Sequence, residues 1–377
     1  MTVEILHVHS TFALGGKEAR AARLMNAFGA SARHTVWAAT GETSARAALA
    51  SGIGAAFPED APPLTGSPTP LRLRRIAAAM RGFDLVLTYN WGAFDAVMAR
   101  RLFGRGLPPL VHHEDGFNAD EAEALKPLRS SYRRLGLPAA AKLVVPSERL
   151  EAIARSVWRQ PEGRVVRIPN GIPVRDYAAA PAPIPGVEKR PDEVLVGTVA
   201  GLRPVKNLPR LVRAFAAMTS PARLVVVGTG PESERIVAEA RRLGVADRVH
   251  LPGFLPDPAR WIGSLDVFAL SSDSEQFPIA LLEAMAAGLP AVATSVGDVS
   301  HMIAPDNAPL VVAPEDEAAF AAALDTLAQR PDLRRAIGRA NREKAALCYD
   351  EAEMIARYAR LYGEAIGRPD AFATAKT

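Results

Sequence analysis

The chain has 377 residues, which predicts two domains, and its 49% apolar and 23% charged residues are typical of a globular enzyme. No run of about 18 apolar residues occurs, and the first residues lack a basic start before an apolar stretch, so neither a membrane span nor a secretory signal is expected. The single cysteine, Cys348, excludes an internal disulfide and is typical of a reducing cytoplasm.

The net charge of +4 is unevenly distributed. Residues 1–180 contain 23 lysines and arginines against 16 acidic residues, and the remainder contains 22 against 25. In the first half, basic residues stand beside apolar ones in three groups, at 71–75, 100–103 and 129–135. Such groups favour either an anionic membrane surface or solvated helix faces. Nucleic acid is disfavoured, because aromatic residues make up only 6% and no nucleic-acid motif occurs.

Strands and helices alternate through the first half of the chain. Helical spacing of apolar residues predicts a helix at 17–28. Apolar runs predict strands at 3–9, 34–39, 84–89, 110–113 and 142–146. This alternation predicts a parallel sheet with a site at the carboxyl ends of its strands. Gly15 and Gly16 separate the first strand from the first helix, and their lack of side chains would let a ligand approach the backbone.

Two loops at predicted strand ends are dense in polar side chains. One is 89–92, with Asn90 and Trp91, and the other is 112–118, which contains His113, Glu114 and Asp115. Such clusters are typical either of a binding site or of a solvated surface turn. A metal site is not expected, because zinc needs three or four ligands in a fixed geometry, no further partner stands out, and no Asp-x-Asp pair occurs.

A domain boundary is predicted in the proline-rich segment 179–192. It would separate a first domain, 1–178, from a second domain, 193–348, and residues 349–377 would form a helix returning to the first domain and a tail. Strands of the second domain are predicted at 194–199, 223–227, 249–254, 266–270, 290–294 and 309–313. Gly228 and Gly230 follow the second of these strands. Pro231 and the lack of a third glycine argue against the dinucleotide fingerprint that a nicotinamide oxidoreductase would need.

Residues 271–290 combine two spaced carboxylates with a helix start. Glu275 and Glu283 lie eight positions apart, so one continuous helix would separate them by about 80° beyond two full turns. Pro278 fits the first helical position, which puts Glu275 in the preceding loop and Glu283 inside the helix. Free N–H groups at such a helix start favour a phosphate, and the carboxylates can hold hydroxyls on either side of it. A sugar nucleotide has that layout.

Residues 197–207, 227–231 and 266–296 together resemble, in the expected order, the donor site of retaining GT-B glycosyltransferases of family 4. The resemblance extends over nearly the whole chain. It implies an α/β fold of the GT-B type, in which two Rossmann-like domains with parallel sheets face each other across a cleft. The C-terminal helix would cross back to the first domain. The first domain would bind the acceptor and the second the nucleotide sugar.

The resemblance assigns the main donor contacts. Glu275 would bind hydroxyls of the donor sugar, Glu283 the ribose and Lys206 the diphosphate. The arginine usual in the family is replaced by Gly201, and Arg203 on the same loop is predicted to supply the missing cation. Further donor-binding residues implied by the resemblance are Gly15, Gly16, Gly228, Gly230, Gly253, Phe254, Gln276, Phe277, Pro278 and Ile279.

The resemblance also indicates residues close to the transferred sugar and to the acceptor. Either His113 or Asp115 would lie close to the transferred sugar as a catalytic residue. Many family members read Glu-Gly-Phe-Gly where this chain has residues 275–278, and the proline here removes one backbone donor. Asn90, Trp91 and Glu114 are the expected acceptor-binding residues.

The implied activity is retaining transfer of a sugar from a UDP-sugar or GDP-sugar to a hydroxyl of a glycan or lipid-linked acceptor, without a cofactor or a metal. Synthesis of cell-surface polysaccharide or lipopolysaccharide is the expected setting. The protein would be cytoplasmic or peripheral on the inner face of the membrane. A sugar-nucleotide epimerase of the same fold and a non-catalytic sugar-nucleotide binder are the alternatives.

Overall fold

The computed structural model describes residues 2–117, 121 and 124–372. The chain forms two compact units: unit 1 is Met1–Asn170 with Ala352–Thr377, and unit 2 is Gly171–Glu351. The division thus falls ahead of the proline-rich segment in which the sequence predicts it. That segment packs on unit 2, because Ile184 is buried in its core and the Ala182 N–H donates to the Arg260 carbonyl at 2.6 Å.

Unit 1 contains a parallel seven-stranded sheet in the order β3-β2-β1-β4-β5-β6-β7. Its strands are β1 (Val3–His9), β2 (Ala32–Ala38), β3 (Ala55–Ala56), β4 (Leu85–Tyr89), β5 (Leu110–His113), β6 (Lys142–Val145) and β7 (Val165–Arg167). The inner strands are largely buried because helices cover both faces of the sheet, and all five residues of β4 are buried. The short β3 and β7 give no periodic signal in the sequence.

Unit 2 contains a parallel six-stranded sheet in the order β10-β9-β8-β11-β12-β13. Its strands are β8 (Val194–Val199), β9 (Ala222–Val227), β10 (Val249–Gly253), β11 (Val267–Leu270), β12 (Ala291–Thr294) and β13 (Val311–Val312). All six were predicted, the last as a longer strand. A 3-10 turn at Pro305–Leu310 shortens β13, since prolines interrupt the strand hydrogen bonds there.

Helices flank both sheets. They are α1 (Gly16–Phe28), α2 (Pro70–Met80), α3 (Phe94–Phe103), α4 (Pro127–Gly136), α5 (Glu148–Ser156), α6 (Leu208–Ala216), α7 (Ser233–Arg242), α8 (Ile279–Ala286), α9 (Val299–Met302), α10 (Glu317–Gln329), α11 (Pro331–Cys348) and α12 (Glu351–Ala365). Side-chain caps fix several starts: the Ser147 hydroxyl accepts from the Leu150 N–H at 3.1 Å, and the Asp316 carboxylate from the Ala319 N–H at 2.8 Å. Helix α8 begins at Ile279, one residue later than the sequence predicts.

Helix α12, the last helix among the described residues, packs into the core of unit 1. Its buried face carries Met354, Tyr358 and Tyr362. The Tyr362 ring lies edge-on to Phe28 of α1 at 6.1 Å. Burial of two tyrosines and a methionine stabilises this association by several kcal/mol on the usual scale of about 25 cal/mol per Å².

The two sheets share a topology that defines where a ligand can bind. In each, the first strand of the sheet lies between the second and the fourth, so the strand order reverses beside it. In open parallel sheets, the crevice for ligands lies beyond the carboxyl ends of the strands at this reversal. In unit 2 the reversal lies between β8 and β11, which lead into residues 200–207 and 271–278. The predicted fold, two Rossmann-like parallel sheets, is therefore confirmed.

Candidate functional site

The loops that follow β8 and β9 are hydrogen-bonded to each other. The Ala200 N–H donates to the Val227 carbonyl at 3.0 Å, and the Leu202 N–H donates to the Thr229 carbonyl at 2.9 Å. Residues 228–230, the glycine turn after β9, consequently lie against residues 200–202.

Only glycine fits at two positions of this turn. Gly228 and Gly230 have φ values of 136° and 156°. A Cβ at Gly228 would collide with the Ala200 carbonyl oxygen, and one at Gly230 would lie 2.5 Å from that of Leu202. Side chains here would push the loops apart. The two glycines predicted at the donor site therefore set the spacing of the loops at this edge of the sheet.

Lys206 and Glu275 face each other across the β8/β11 reversal. The Lys206 Nζ lies 2.5 Å from Glu275 Oε1, which also accepts a hydrogen bond from the Ser272 hydroxyl at 2.7 Å. Both side chains are mostly buried, with 17% and 10% of their surface exposed. The predicted phosphate-binding cation and the predicted sugar-binding carboxylate are thus in contact, and each neutralises the other.

Arg203 lies on the same loop as Lys206 but is exposed. Within the described part of the chain, no acidic partner of its guanidinium is observed. Its Nε lies 3.7 Å from the position that a Cβ at Gly201 would take. The Arg203 side chain therefore folds back over Gly201, where the resemblance places the family's arginine.

A polar cluster behind this loop was not predicted. Asn207 adopts a left-handed conformation (φ 41°), and its amide nitrogen donates to Asp273 Oδ1 at 3.1 Å. Arg210 pairs with the same carboxylate at 2.7 Å and donates to the Ser271 carbonyl at 2.9 Å. These bonds hold residues 203–207 against residues 271–275. The only local signal in the sequence is the asparagine directly after Lys206, a residue type that tolerates the left-handed region.

The start of α8 offers hydrogen-bonding groups. Pro278 precedes the helix with an extended backbone, so the N–H groups of the first turn, beginning at Ile279, have no partner within the helix. The Gln276 side-chain oxygen is buried and has no hydrogen-bond partner among the residues described. Phe277 instead serves the core, because it is 9% exposed and packs on the Tyr349 ring at 5.6 Å.

The loop after β12 packs against the backbone of Glu275 and Gln276. A Cβ at Gly297 would collide with the Glu275 carbonyl oxygen, and the Asp298 N–H donates to the Gln276 carbonyl at 3.2 Å. Glu283 is half-buried in the second turn of α8. The two glutamates therefore occupy the loop and the helix, as the position of the proline predicts.

The last of the predicted donor contacts lies at the end of β10. The Gly228 N–H donates to the Gly253 carbonyl at 2.8 Å, and Gly253 has a φ of 82°. Phe254, the next residue, leaves 65% of its surface exposed. An open aromatic face thus stands at the same edge of the sheet as the glycine turn.

In unit 1, the predicted glycine loop is folded onto α1. Gly15 has an extended backbone and Gly16 begins the helix. A Cβ at Gly15 would lie 2.9 Å from Glu18 Oε2, and the Glu18 carboxylate is paired with Lys17. A side chain at Gly15 would displace this buried carboxylate.

His113 is buried, and both of its ring nitrogens have partners within unit 1. Nδ1 lies 3.1 Å from the Thr88 carbonyl oxygen and Nε2 lies 2.8 Å from the Tyr362 hydroxyl. Because a carbonyl only accepts, Nδ1 carries the proton and Nε2 accepts from the tyrosine. Burial, and then the nearby Arg20 charge, lower the pKa of His113 to about 3. This histidine is therefore neutral and engaged in the core.

Asp115 is held by an arginine that was not predicted. The Arg20 guanidinium bonds both carboxylate oxygens, with Nη2 2.9 Å from Oδ2, and donates to Asn170 Oδ1 at 2.9 Å. The Asp115 N–H donates to Asn90 Oδ1 at 2.6 Å. Burial opposes ionisation of Asp115, but the charge and hydrogen bonds of Arg20 hold its pKa below the usual value. About 13% of the Asp115 side chain stays exposed.

Glu114 belongs to a buried ionic and aromatic cluster. Its carboxylate lies 3.2 Å from the Arg133 Nε and 3.4 Å from His112 Nε2, and none of it is exposed. The Arg133 guanidinium also stacks over the rings of Trp91 and Trp158 at 5.1 and 4.9 Å. A direct acceptor contact, predicted for Glu114, is not supported by this position. Asn118, at the end of the same predicted loop, lies outside the described residues.

The described residues contain neither a cluster suited to a metal ion nor a helix suited to a membrane. Within residues 2–117, 121 and 124–372, no group of three or more acidic, histidine or cysteine side chains could hold a metal ion. No helix in the described part of the chain is long and apolar enough to cross a membrane.

Two family models match the chain, one in each half. Residues 14–176 match Glycosyltransferase Family 4, and residues 184–344 match Glycosyl transferases group 1. Among curated proteins, N-acetyl-alpha-D-glucosaminyl L-malate synthase of Bacillus anthracis is 29% identical over 166 residues, which is 44% of either chain. The chain thus spans less than half the length of the first curated relatives that it matches.

Solved structures resemble the whole chain. The Anabaena protein Alr3699/HepE, in complex with UDP, matches with a TM-score of 0.75 at 18% identity, over 96% of this chain and 100% of its own. WaaG, a glycosyltransferase involved in lipopolysaccharide biosynthesis, matches with a TM-score of 0.66 at 19% identity, over 99% and 100%. At these identities the structures show the fold. With a family model matched in each half, the chain belongs to the GT-B glycosyltransferases.

Proposed function

We propose that the protein is a retaining glycosyltransferase that moves a sugar from a nucleoside diphosphate sugar to an acceptor hydroxyl. The observation that carries this proposal is the Lys206–Glu275 pair at the strand reversal of unit 2, ahead of the α8 start. A cation, a carboxylate and free helix N–H groups are the groups that a sugar diphosphate requires.

Donor binding would exchange the partners of this pair. The diphosphate would take Lys206, and Glu275 would be released to accept hydrogen bonds from the sugar hydroxyls. Lys206 has a negative partner before and after the exchange, which limits the cost of holding its charge in a mostly buried position. The unsatisfied Gln276 oxygen is a further acceptor for a sugar hydroxyl.

The remaining donor contacts follow from the positions of the side chains. Glu283 would accept from the ribose hydroxyls, and the exposed ring of Phe254 would stack on the base. Arg203, folded over Gly201, would supply the second cation on the diphosphate. We place UDP ahead of GDP, because the similar Anabaena protein was crystallised with UDP. The protein would need no cofactor and no metal.

The transfer step breaks the bond between the anomeric carbon and the bridging oxygen of the donor diphosphate. The acceptor oxygen forms its bond to that carbon from the same face, and the acceptor proton passes to a donor phosphate oxygen. Negative charge grows on the leaving diphosphate, where Lys206 and Arg203 would stabilise it. One positioned donor contributes about 3 kcal/mol to such a transition state.

Within unit 1, Asp115 rather than His113 is the candidate for contact with a sugar. The histidine has both ring nitrogens engaged in the core, whereas the aspartate retains an exposed edge. An ionised carboxylate can accept a hydroxyl hydrogen bond and stabilise the positive charge that develops on a sugar ring during transfer.

The acceptor would be a glycan or a lipid-linked glycan at a membrane surface. Unit 1 exposes four leucines on helices that also carry exposed arginines. The leucines are Leu71, Leu102, Leu128 and Leu135, with 53% to 83% of their surfaces exposed. An anionic bilayer would bind both residue types, at about 1 kcal/mol for each basic side chain. Co-sedimentation with phosphatidylglycerol vesicles at low salt tests this; recovery of all protein in the supernatant would remove the membrane from the proposal.

Donor screening followed by product analysis tests the activity itself. UDP-sugars and GDP-sugars should raise the melting temperature, since a ligand at 100 times its Kd stabilises by about 2.7 kcal/mol. The best donor is then incubated with membrane extract and, separately, alone. Transfer requires release of nucleoside diphosphate together with a new glycan product. Conversion of the donor sugar without acceptor would instead indicate an epimerase, and binding without turnover a non-catalytic binder.

A further inference from the structure

Arg20 is a buried arginine whose burial the packing of unit 1 does not require. It lies in the second turn of α1 with 4% of its side chain exposed. Arginines are almost never fully buried unless they are paired. An apolar side chain at this position would avoid the cost of removing the guanidinium from water, so the charge itself needs an explanation.

The guanidinium joins three parts of unit 1 that are remote in sequence. It bonds both oxygens of Asp115, which follows β5, and Asn170, the last residue before the chain enters unit 2. Its central carbon lies 5.5 Å from the ring centre of Tyr358 on α12. Only the Asp115 contact is a charge pair; the other two fix the orientation of the guanidinium.

Asp115 is fixed from two sides. Arg20 grips its carboxylate with two hydrogen bonds, and the Asn90 side-chain oxygen accepts from its backbone N–H at 2.6 Å. Asn90 itself has a positive φ of 57°, a backbone conformation that few residues other than glycine adopt. A carboxylate with one orientation, and with an exposed edge at the carboxyl end of a strand, is arranged for contact with a ligand.

We propose that Arg20 is a positioning residue for sugar transfer, which holds the Asp115 carboxylate in one orientation so that its free edge meets a sugar substrate. This rests on the proposed function, because Asp115 needs a sugar to contact. Arg20 would touch neither donor nor acceptor. Its effect would therefore appear in the turnover rate rather than in donor affinity.

The test compares Arg20→Lys, Arg20→Met and the double variant Arg20→Met with Asp115→Asn, using the full chain. Arg33→Met is the control, because Arg33 is an exposed arginine of unit 1 with one surface partner. Arg20→Met should lower kcat by about 10-fold to 100-fold while changing the donor KM less than about 3-fold. Arg20→Lys should recover part of the rate, since it keeps the charge but loses the two-pronged grip.

The pH profile separates positioning from a purely structural role. In the wild type, Asp115 protonates below its usual range and leaves the acid side of the profile flat. The guanidinium is the main group that opposes the effect of burial on the pKa of Asp115, ahead of His113 and Lys17, so Arg20→Met should raise that pKa and show a new acidic limb. Adding Asp115→Asn should abolish that limb. The double variant also removes the unpaired buried charge, which makes it the form best able to fold.

Two results would overturn the proposal. One is a kcat for folded Arg20→Met equal to that of Arg33→Met. The other is a loss of rate without a new acidic limb, which would assign Arg20 to structure alone. Failure of the proposed function looks different: wild-type protein would then bind UDP without any transfer. Wild-type turnover of the single variant Asp115→Asn would instead overturn the role of Asp115 and, with it, that of Arg20. Melting temperature and UDP binding are measured for every variant, and UDP affinity should not change.

Discussion

The two units carry the same sheet topology but use their strand-end loops differently. In unit 2, the predicted residues stand at the edge of the sheet with groups that a ligand can reach: Arg203, Phe254 and the Lys206–Glu275 pair. In unit 1, the corresponding residues are mostly engaged with one another below the surface, as in the cluster around Arg133 and in the His113–Tyr362 contact. Unit 2 is thus built to exchange its partners for a ligand, whereas unit 1 is built to hold its loops still.

The largest effect is expected for Arg133→Met in unit 1. Loss of this guanidinium leaves Glu114 buried without its arginine, while Glu121 keeps Arg129 at 3.0 Å, and breaking a buried pair costs about 3–5 kcal/mol. Chemical denaturation should show this loss of stability. Arg134→Met, which removes an exposed arginine of the same helix, is the control. A change below about 1 kcal/mol would contradict the view that this cluster holds the loop.

Lys206→Ala in unit 2 should lower the activity rather than the stability. It removes one stabilising charge from the leaving diphosphate, so kcat/KM should fall by at least about 100-fold, or about 3 kcal/mol. The fold should survive, because Glu275 is partly exposed and keeps its hydrogen bond from Ser272. Turnover and melting temperature are measured together. Lys189→Ala, at an exposed lysine of unit 2, controls for general loss of charge.

Acid should lower the stability of unit 1 more than that of unit 2. All five histidines of unit 1 are buried, whereas His250 and His301 of unit 2 are not. Burial lowers the pKa of His34 to about 4 and those of His7 and His9 well below the usual 6.5.

A histidine with a lowered folded pKa takes up its proton only in the unfolded chain. Stability is therefore complete above pH 6.5 and is lost as the pH falls toward the folded pKa. For His34 alone, the loss between pH 6.5 and pH 5 is about 2 kcal/mol. Proteolysis at pH 5 should consequently cut unit 1 before unit 2. Equal protection of both units at pH 5 would contradict this order.

The difference between the units also explains what the sequence could predict. Glu275, Lys206 and the glycine turn carry local signals, since the proline ahead of α8 and the positive φ values are backbone requirements of short segments. The Arg20–Asp115 pair spans 95 positions and the His113–Tyr362 bond spans 249. Pairs so far apart in the sequence leave no periodic or spacing signal. An arginine or a tyrosine at another position would give the same local sequence pattern.

Glu114 is a residue for which the sequence predicts a ligand contact and the structure shows a side-chain partner. Its position at a strand end predicts a ligand contact, and the sequence around it looks like that of a binding loop. Only the fold reveals that Arg133, 19 positions later, lies beneath it and uses its carboxylate. The polar loops of unit 1 were therefore located correctly as strand ends, while the partners of their side chains had to come from the structure.

The smallest expected effect tests a departure from the family pattern. Arg203→Ala should lower kcat/KM by about 10-fold, or about 1.4 kcal/mol, because an exposed cation on a leaving diphosphate contributes less than a buried one. Adding Gly201→Arg to that variant should restore most of the loss. Gly201 has no positive φ, and a side chain there would start 3.7 Å from the Nε that has been removed, so an arginine fits without strain.

Gly201→Leu in the same background is the matched control, since it fills the space without a charge. Restoration by leucine would indicate a packing effect, and the absence of any effect of Arg203→Ala would mean that Lys206 and the α8 N–H groups hold the diphosphate without a second cation. Restoration by arginine alone would establish that this loop has moved its cation by two residues. In that case, the exposed edge of unit 2 tolerates relocation of a charge.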